Sequence, residues 1–463
     1  MMTRTSMSKN LIAAAAALML SACASMAPEH QRLVPAMAEQ WSNSAGPAQG
    51  VAASDLAWQS FYAGDARLQA LIQLALDNNR DLRVALLNVE QARAMAGVAE
   101  ANRWPTVGAG VNASRQPDGK GGSQNNYQTG LQISAYELDL FGKVKSQSDA
   151  ATARFLASAE GSRAAQISLI AGVAAAHFAL QADEELLLLA AQTAKAREDS
   201  LRLTRMRFDA GASSSLELNS AESAAASAQA SLAQAKRQRE LSENALVLLI
   251  AQPLPKDLPK AQSLALQRTP NLPAGLPSEV LVKRPDVLQA EQLLIAANAN
   301  IGAARAAFFP SISLTTSLGT ASSELSNLFT NTVWSVAGQA LMPIFDAGRN
   351  QANLQASKAA QGIAVAQYEK TVQTAFREVA DALAGKATFS DQLQAQTAQA
   401  RAEAERLKLV ELRFANGASN SLELLDAQRA SYAAQQALLQ VRLGQLQNHV
   451  QLYKALGGGL AKS

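Results

Sequence analysis

The sequence predicts long, coiled-coil-like α-helices combined with two β-hairpins, built as two copies of one unit. Residues 201–218 are repeated at 407–424, and 11 of the 18 paired residues are identical. Self-similarity at a fixed separation indicates a tandem duplication. Each half also contains a proline-free stretch, rich in Ala, Leu, Gln, Glu and Arg, that is much longer than a helix of an ordinary globular domain.

The N-terminus has the pattern of a secretory signal that ends at the single cysteine. Arg4 and Lys9 precede a short apolar stretch that cannot span a bilayer. The following Leu-Ser-Ala-Cys resembles a bacterial lipobox, so we expect residues 1–22 to be removed and Cys23 to carry covalent lipid. A plain signal peptide that leaves a free thiol is the alternative. In bacterial lipoproteins, an Asp directly after the lipidated cysteine is the usual signal for retention in the inner membrane. This chain has Ala24 at that position, so its resemblance to lipoproteins favours the outer membrane.

Bulk composition excludes several classes of function. The net charge of +3 falls to about +1 when the two basic residues of the signal are removed, which is too small to indicate a nucleic-acid partner. One cysteine provides neither a disulfide framework nor a thiolate metal site. No pattern of nucleophile, acid/base pair or metal ligands is present, so we expect neither an enzyme nor a bound cofactor. No stretch after the signal reaches about 18 apolar residues, so no transmembrane helix is expected.

Proline placement divides the mature chain. Seven of the 14 prolines fall within residues 253–285 and none within 144–250, so the proline-rich segment is predicted to be an extended connector between two helical arms. The predicted parts are an N-terminal anchor segment, repeat 1, the connector, repeat 2 and a C-terminal tail, at residues 23–65, 66–252, 253–285, 286–456 and 457–463. Three glycines open the tail without a P-loop context, and we expect a frayed end there.

Each repeat is expected to contain a helix, a β-hairpin, a long helix, a turn and a shorter helix. The long helices are predicted at about 144–209 and 350–415, or ~100 Å each at 1.5 Å per residue. The hairpins are predicted at about 104–140 and 310–344, because apolar and polar residues alternate there with a period of two.

The hairpin strands are about ten residues long, a length that suits either a tilted span of an outer membrane or a half-buried soluble hairpin. The alternation supports both equally. Four strands cannot close a barrel. If the hairpins span a membrane, several protomers must share one barrel; three would supply 12 strands, and a dimer with eight is not excluded by counting.

Two turns with the pattern RF-x-x-GAS, which we call tip 1 (207–215) and tip 2 (413–421), follow the long helices. Gly211 and Gly417 supply a residue that tolerates positive φ at a helix end. The neighbouring serines are expected to cap the next helix. The tips are therefore predicted to be the reversals of two helical hairpins, one per repeat.

Four longer segments resemble a known family. They are YELDLFGKV, VKRPDVLQAEQLLIAANANIGAARAAFFPSISL, PIFDAGR and RFANGASNSLELLDAQRA, at residues 136–144, 282–314, 343–349 and 413–430. On these segments the chain resembles the TolC/OprM-type outer-membrane efflux channels, in the NodT-like lipoprotein branch that works with resistance-nodulation-division (RND) pumps. The resemblance covers nearly the whole mature chain.

The resemblance implies a homotrimer with a 12-stranded β-barrel in the outer membrane, an α-helical barrel through the periplasm, and an equatorial belt from the connector and chain ends. It implies a passive, gated duct that exports small molecules for a periplasmic adaptor protein and an inner-membrane RND pump. A type I protein-secretion channel is an alternative within the family. A non-conducting, lipid-anchored coiled-coil scaffold is an alternative of another class. The alternating hairpins in both halves argue against it, because a scaffold does not need them.

The resemblance also assigns residues at the tips. Leu422 and Asp426 match the constriction of the family's periplasmic gate, and Glu423 matches a further acidic position; a ring of such carboxylates favours cations. The simpler interpretation is that both acids only stabilise a helix N-terminus. The exposed tips are the predicted adaptor contacts, through Arg207, Phe208, Gly211, Arg413, Phe414 and Gly417.

Overall fold

The structure is a computed structural model that describes residues 26–29, 52–117, 119, 121–268, 270–273 and 283–460. The predicted signal and Cys23 lie outside these residues. The described parts form eight α-helices and four strands. In chain order these are α1 Trp58–Phe61, α2 Ala66–Asn78, α3 Arg80–Ala101, β1 Val107–Pro117, β2 Ser123–Leu138, α4 Lys143–Asp209, α5 Ser215–Ile250, α6 Pro285–Ala306, β3 Ser311–Ser322, β4 Thr332–Leu341, α7 Arg349–Ala415 and α8 Ser421–Ala455.

The duplication is visible in the lengths of the helices. Helices α4 and α7 each contain 67 residues, and α5 and α8 contain 36 and 35. The chain divides into two compact units. The described parts of residues 1–35, 87–160 and 288–371 form unit 1, and those of 36–86, 161–287 and 372–463 form unit 2.

Unit 1 contains one antiparallel sheet with the strand order β1-β2-β3-β4. The two predicted hairpins are therefore not separate, because β2 of the first repeat pairs with β3 of the second over Tyr127–Leu138 and Ile312–Ser322. A bulge interrupts this ladder between Ile133 and Tyr136. Each of the outer strands, β1 and β4, pairs with only one other strand of the described chain.

The sheet has one apolar and one polar face. Registered neighbours such as Leu131, Leu318 and Trp334 are exposed on the same face. The opposite face carries Gln132, which is registered with Ser317, and the Ser317 hydroxyl lies 2.8 Å from that of Ser335. A sheet with this division meets an apolar medium on one side and water on the other.

The strands approach each other most closely at a glycine pair on the polar face. Gly130 is registered with Gly319, and a Cβ built on either glycine would overlap the backbone of the facing strand. The two strands can approach this closely because neither residue of the pair has a side chain.

Gly319→Val is expected to prevent β2 and β3 from pairing, because the new side chain has no space against the Thr129 backbone. Circular dichroism should show a loss of β-sheet signal and a lower melting temperature. Gly338→Val is the matched control, since Gly338 also lies in the sheet but has no atom within 4 Å of its Cβ position. Equal behaviour of the two variants would contradict the close approach.

Unit 2 has a hydrophobic core where α1, α2 and the middle parts of α4 and α7 meet the C-terminal ends of α5 and α8. The Phe61 ring stacks on Tyr453 at 4.0 Å between centroids. Helix α4 contains a stretch apolar enough to cross a membrane, and half of it is buried within the protein. Its hydrophobicity is that of a core helix, with Val173 and Phe178 in the core.

A buried polar cluster joins three segments of this core. One Asp65 oxygen accepts from the Leu68 amide at the start of α2, at 2.9 Å. The other accepts from Nε2 of His177 on α4 at 3.0 Å and from the amide of Gln267 in the connector at 2.8 Å. His177 is thus a packed structural residue.

The Arg-Pro-Asp sequence at the start of α6 attaches the end of the connector to α7 and α8 through hydrogen bonds of Arg284. Pro285 occupies the first helical position, where the missing amide costs nothing. The buried Arg284 guanidinium donates to both oxygens of Asp286 at 2.9 and 2.6 Å, to Glu378 on α7 at 2.8 Å, and to the carbonyl of Ala455 at the end of α8 at 3.0 Å.

The expectation of a frayed end at Gly457–Gly459 is wrong. All three glycines are buried, and the amide of Gly458 donates to the Tyr453 carbonyl at 2.9 Å. A Cβ on Gly458 would overlap the Tyr453 ring. The glycines let the chain turn and pack closely after α8, a reason that sequence position alone does not reveal.

Candidate functional site

Both tips end a long helix in the same way. Gly211 and Gly417 have φ of +74° and +72°, the left-handed conformation that glycine adopts without strain. In tip 1 the amide of Ala212 donates to the Arg207 carbonyl at 2.7 Å, and tip 2 repeats this bond at 2.8 Å. This six-residue closure is the Schellman motif, so the pattern RF-x-x-GAS encodes a helix stop.

The two tips differ in how the next helix begins. Ser214 caps α5 in a reciprocal capping box with Glu217. In tip 2 the cap is Asn420, whose side chain accepts from the Glu423 amide at 2.8 Å. The expectation that serines cap both helices is therefore wrong for tip 2, because an asparagine side chain does the same work.

The tips contact each other. The Arg207 guanidinium lies over the Phe414 ring, 5.0 Å from its centroid, and the Ser421 hydroxyl donates to Glu217 at 3.1 Å. Phe414 also packs against a small apolar cluster of α7 and α8, formed by Val410, Leu424 and Ala427 with Leu407. Phe208 stays 38% exposed. Thus a cation–π contact and a hydrogen bond connect the two halves at their tips.

Asp426 is the most strongly paired of the predicted gate residues. Its carboxylate accepts from Arg406 of α7 at 2.6 Å and from Arg429 of α8 at 3.0 Å. These hydrogen bonds, with that of Arg406 the stronger, lower the pKa of the Asp426 carboxyl below its usual value of 3.8. Asp426 is therefore ionised at neutral pH, and its charge links the two helices that meet at tip 2.

Glu423 and Leu422 have different surroundings. Glu423 accepts from Arg413 at 2.9 Å and from the Ser419 hydroxyl, both within tip 2. Its position fits the simpler interpretation of an acid that stabilises the turn. Leu422 is 71% exposed and forms no part of the described core, so its side chain is available to a neighbouring surface.

The sequence reasoning missed Arg406 and Arg429. Arg429 follows Asp426 by three residues, a spacing at which two side chains on a helix are neighbours, so this ion pair could have been predicted from the sequence. Arg406 lies 20 positions away, and only the antiparallel packing of α7 and α8 brings it to Asp426.

Paired long helices with repeated tips, together with a sheet that has one apolar face, are typical of a membrane-channel protomer. The outer membrane efflux protein family matches residues 71–252 and 276–458. The chain is 43% identical over 469 residues to the probable efflux pump outer membrane protein TtgC of Pseudomonas putida (strain KT2440), which covers 98% of this chain and 96% of TtgC. Outer membrane protein OprJ of Pseudomonas aeruginosa is 44% identical over 457 residues, covering 96% and 94%. The open-state MtrE outer membrane channel of Neisseria gonorrhoeae superposes with a TM-score of 0.87 at 43% identity, covering 94% of this chain and 98% of MtrE.

The chain therefore belongs to the outer membrane efflux protein family. The predicted family is confirmed, and with it the fold class of a protomer that contributes strands to a β-barrel and long helices to an α-helical barrel. The protein is located in the outer membrane and acts as the outer-membrane channel of an efflux pump. It is a transport duct and not an enzyme. Within the described residues, no group of three or more His, Cys, Asp or Glu side chains could hold a metal ion.

Proposed function

We propose that this chain is the gated exit duct of a tripartite pump that expels small toxic molecules. Its relatives include proteins named for toluene efflux and for antibiotic efflux, both from Pseudomonas putida. These names favour small molecules over proteins as cargo, and so favour a pump duct over a type I secretion channel. The duct itself is passive, and an inner-membrane RND pump supplies the energy.

The assembly proposed is a homotrimer. The outer strands β1 and β4 each have one edge without a partner in the described chain, and an unpaired edge in a membrane must be paired by another copy. Three copies of the four-stranded sheet give 12 strands, enough for an open lumen. The polar face then lines the lumen and the apolar face meets lipid.

The gate proposed is tip 2, and the observation that carries it is the double pairing of Asp426. In a trimer, three such carboxylates and three Leu422 side chains surround one axis, where they narrow the pore and favour cations. The Arg406 contact holds α8 against α7 in the narrow state, and the Arg429 contact, within α8, orients the carboxylate. Glu423 contributes charge near the same mouth while it stabilises the turn.

The gate is expected to keep its pairing at every pH above about 4. The folded-state pKa of Asp426 is lowered, so the pairing is present above the usual value and is lost only as the pH falls through the lower folded-state value. Rates of solute entry into proteoliposomes should therefore be constant from about pH 5 to 8 and rise only in stronger acid. Asp426→Ala should remove that rise, and a rise near neutral pH would contradict the assignment.

The proposal also includes an adaptor contact and a lipid anchor. Periplasmic adaptor hairpins meet the exposed tips, where Phe208 and the turn glycines form the contact surface. Lipid on Cys23, which lies outside the described residues, holds the mature N-terminus in the outer membrane. Mass spectrometry of the N-terminal peptide tests the anchor; an unmodified Cys23 thiol would contradict it.

The whole proposal is tested in cells that lack their own outer-membrane channels and express a matching adaptor and RND pump. Adding this chain should lower the accumulation of a fluorescent cationic dye. The control omits the pump, and accumulation should then stay high because the duct is passive. Dye extrusion without any pump, or no extrusion with all three components assembled, would overturn the proposed function.

A further inference from the structure

A groove of about 590 Å³ lies in unit 2 beside tip 2, between α4, α5 and α8. Its volume is that of a site for a small organic molecule. The α5 wall carries small residues, with Ser223 and Ser227 one turn apart, and the α8 wall carries Leu425 and Tyr432. The lining therefore offers hydroxyl groups along one side and apolar surface along the other.

Arg197 of α4 lines this groove and lacks a counter-ion. The residue is only 6% exposed. Its Nη2 makes one long hydrogen bond, 3.4 Å to the Leu425 carbonyl, and its buried Nη1 has no partner. Within the described residues no carboxylate forms an ion pair with it. A buried charge without a counter-ion is costly, and proteins normally pair it.

A second guanidinium makes the groove more cationic. Arg429 also lines it and donates to the Asp426 carboxylate at 3.0 Å. Burial, and then the nearby Arg429 charge, lower the pKa of the Arg197 guanidinium. Both effects oppose a positive charge here, and an anion in the groove would relieve both.

We propose that this groove binds a small organic anion, whose carboxylate is held by Arg197 and Arg429 and whose apolar part lies against Leu425. Planar carboxylates suit guanidinium groups, which can donate two parallel hydrogen bonds. The site is separate from the lumen-facing gate acids, although it shares Arg429 with them. Binding depends on the fold of one protomer and does not depend on the proposed cargo.

The test is isothermal titration calorimetry of the full chain in lipid nanodiscs with 1-naphthoate as the ligand. The wild type should bind it saturably, and the neutral isostere 1-naphthamide at least about tenfold more weakly. Arg197→Gln should weaken naphthoate binding by at least about tenfold, because the charge-assisted hydrogen bonds are lost. Arg202→Gln is the matched control: Arg202 lies on the same helix, is exposed and pairs with Asp199 at 3.0 Å.

A second variant keeps the proposal testable if Arg197→Gln fails to fold. Ser227→Leu fills the groove from the α5 wall and leaves Arg197 unchanged, and it should also abolish binding. Conductance of the same samples is recorded separately, so a failed channel and a failed anion site are distinguishable. The proposal is overturned if the wild type shows no saturable binding. A carboxylate of a neighbouring copy that already pairs with Arg197 would give this result. It is also overturned if naphthamide binds equally well, or if Arg197→Gln binds like Arg202→Gln.

Discussion

Asp426→Ala is expected to open the duct, with solute entering proteoliposomes several-fold faster than through the wild type. The substitution removes the acceptor of the hydrogen bond from Arg406 of α7, at 2.6 Å, and so releases α8 from α7 at tip 2; the bond from Arg429, at 3.0 Å, lies within α8. The effect is repeated three times around the axis of a trimer. Liposome swelling with a neutral sugar measures it without interference from charge selectivity.

Two further variants separate pairing from charge. Arg406→Ala should also speed entry while leaving the carboxylate charge in place, because it removes the α7 partner of Asp426, whereas Arg429 lies on α8 itself. Asp199→Ala is the control, since Asp199 is an exposed acid paired with an arginine three residues away on α4, outside tip 2. If Asp426→Ala and Asp199→Ala behave alike, Asp426 is not part of the gate.

Arg284→Ala is expected to produce the largest loss of stability. Burial alone would lower the pKa of this guanidinium, but its bonds to Asp286 and Glu378 outweigh burial and raise the pKa. Removing it leaves two carboxylates and the Ala455 carbonyl without their donor. Breaking a buried pair in this way typically costs about 3–5 kcal/mol.

Thermal melting followed by helical circular dichroism measures this loss. Arg377→Ala is the matched control, because Arg377 pairs with Asp381 on α7 and its side chain is 81% exposed. An exposed pair contributes about 0–1 kcal/mol, so this variant should melt near the wild type. Arg284→Lys should recover only part of the stability, since lysine cannot donate to both Asp286 oxygens in a fork. Equal melting of Arg284→Ala and Arg377→Ala would contradict the role of the Arg-Pro-Asp sequence.

The helices and their turns could be predicted from the sequence, because glycine and proline act on the backbone locally. Helix α4 spans Lys143–Asp209 and α7 spans Arg349–Ala415, within one residue of the expected bounds, because glycines begin and end both proline-free stretches. The tips were readable for the same reason: Gly211 and Gly417 stand where only a positive φ completes the helix stop.

Contacts between segments that are distant in the sequence could not be predicted from it. The pairing of β2 with β3 joins residues 174–195 positions apart, and period-two alternation carries no information about which strand is the neighbour. Arg284 was recognised as part of a motif, but its contact with Glu378 depends on how α7 packs. The buried glycines after α8 were mistaken for a loose end because their neighbour, the Tyr453 ring, is fixed by tertiary packing.

Single-channel conductance of the purified full chain in planar lipid bilayers tests the central claim, a gated pore shared by three copies, most directly. We predict small, uniform conductance steps for the wild type, cation-selective because of the Asp426 ring, and larger steps for Asp426→Ala. No steps from either protein, with insertion into the bilayer verified, would contradict a conducting duct and favour a non-conducting scaffold.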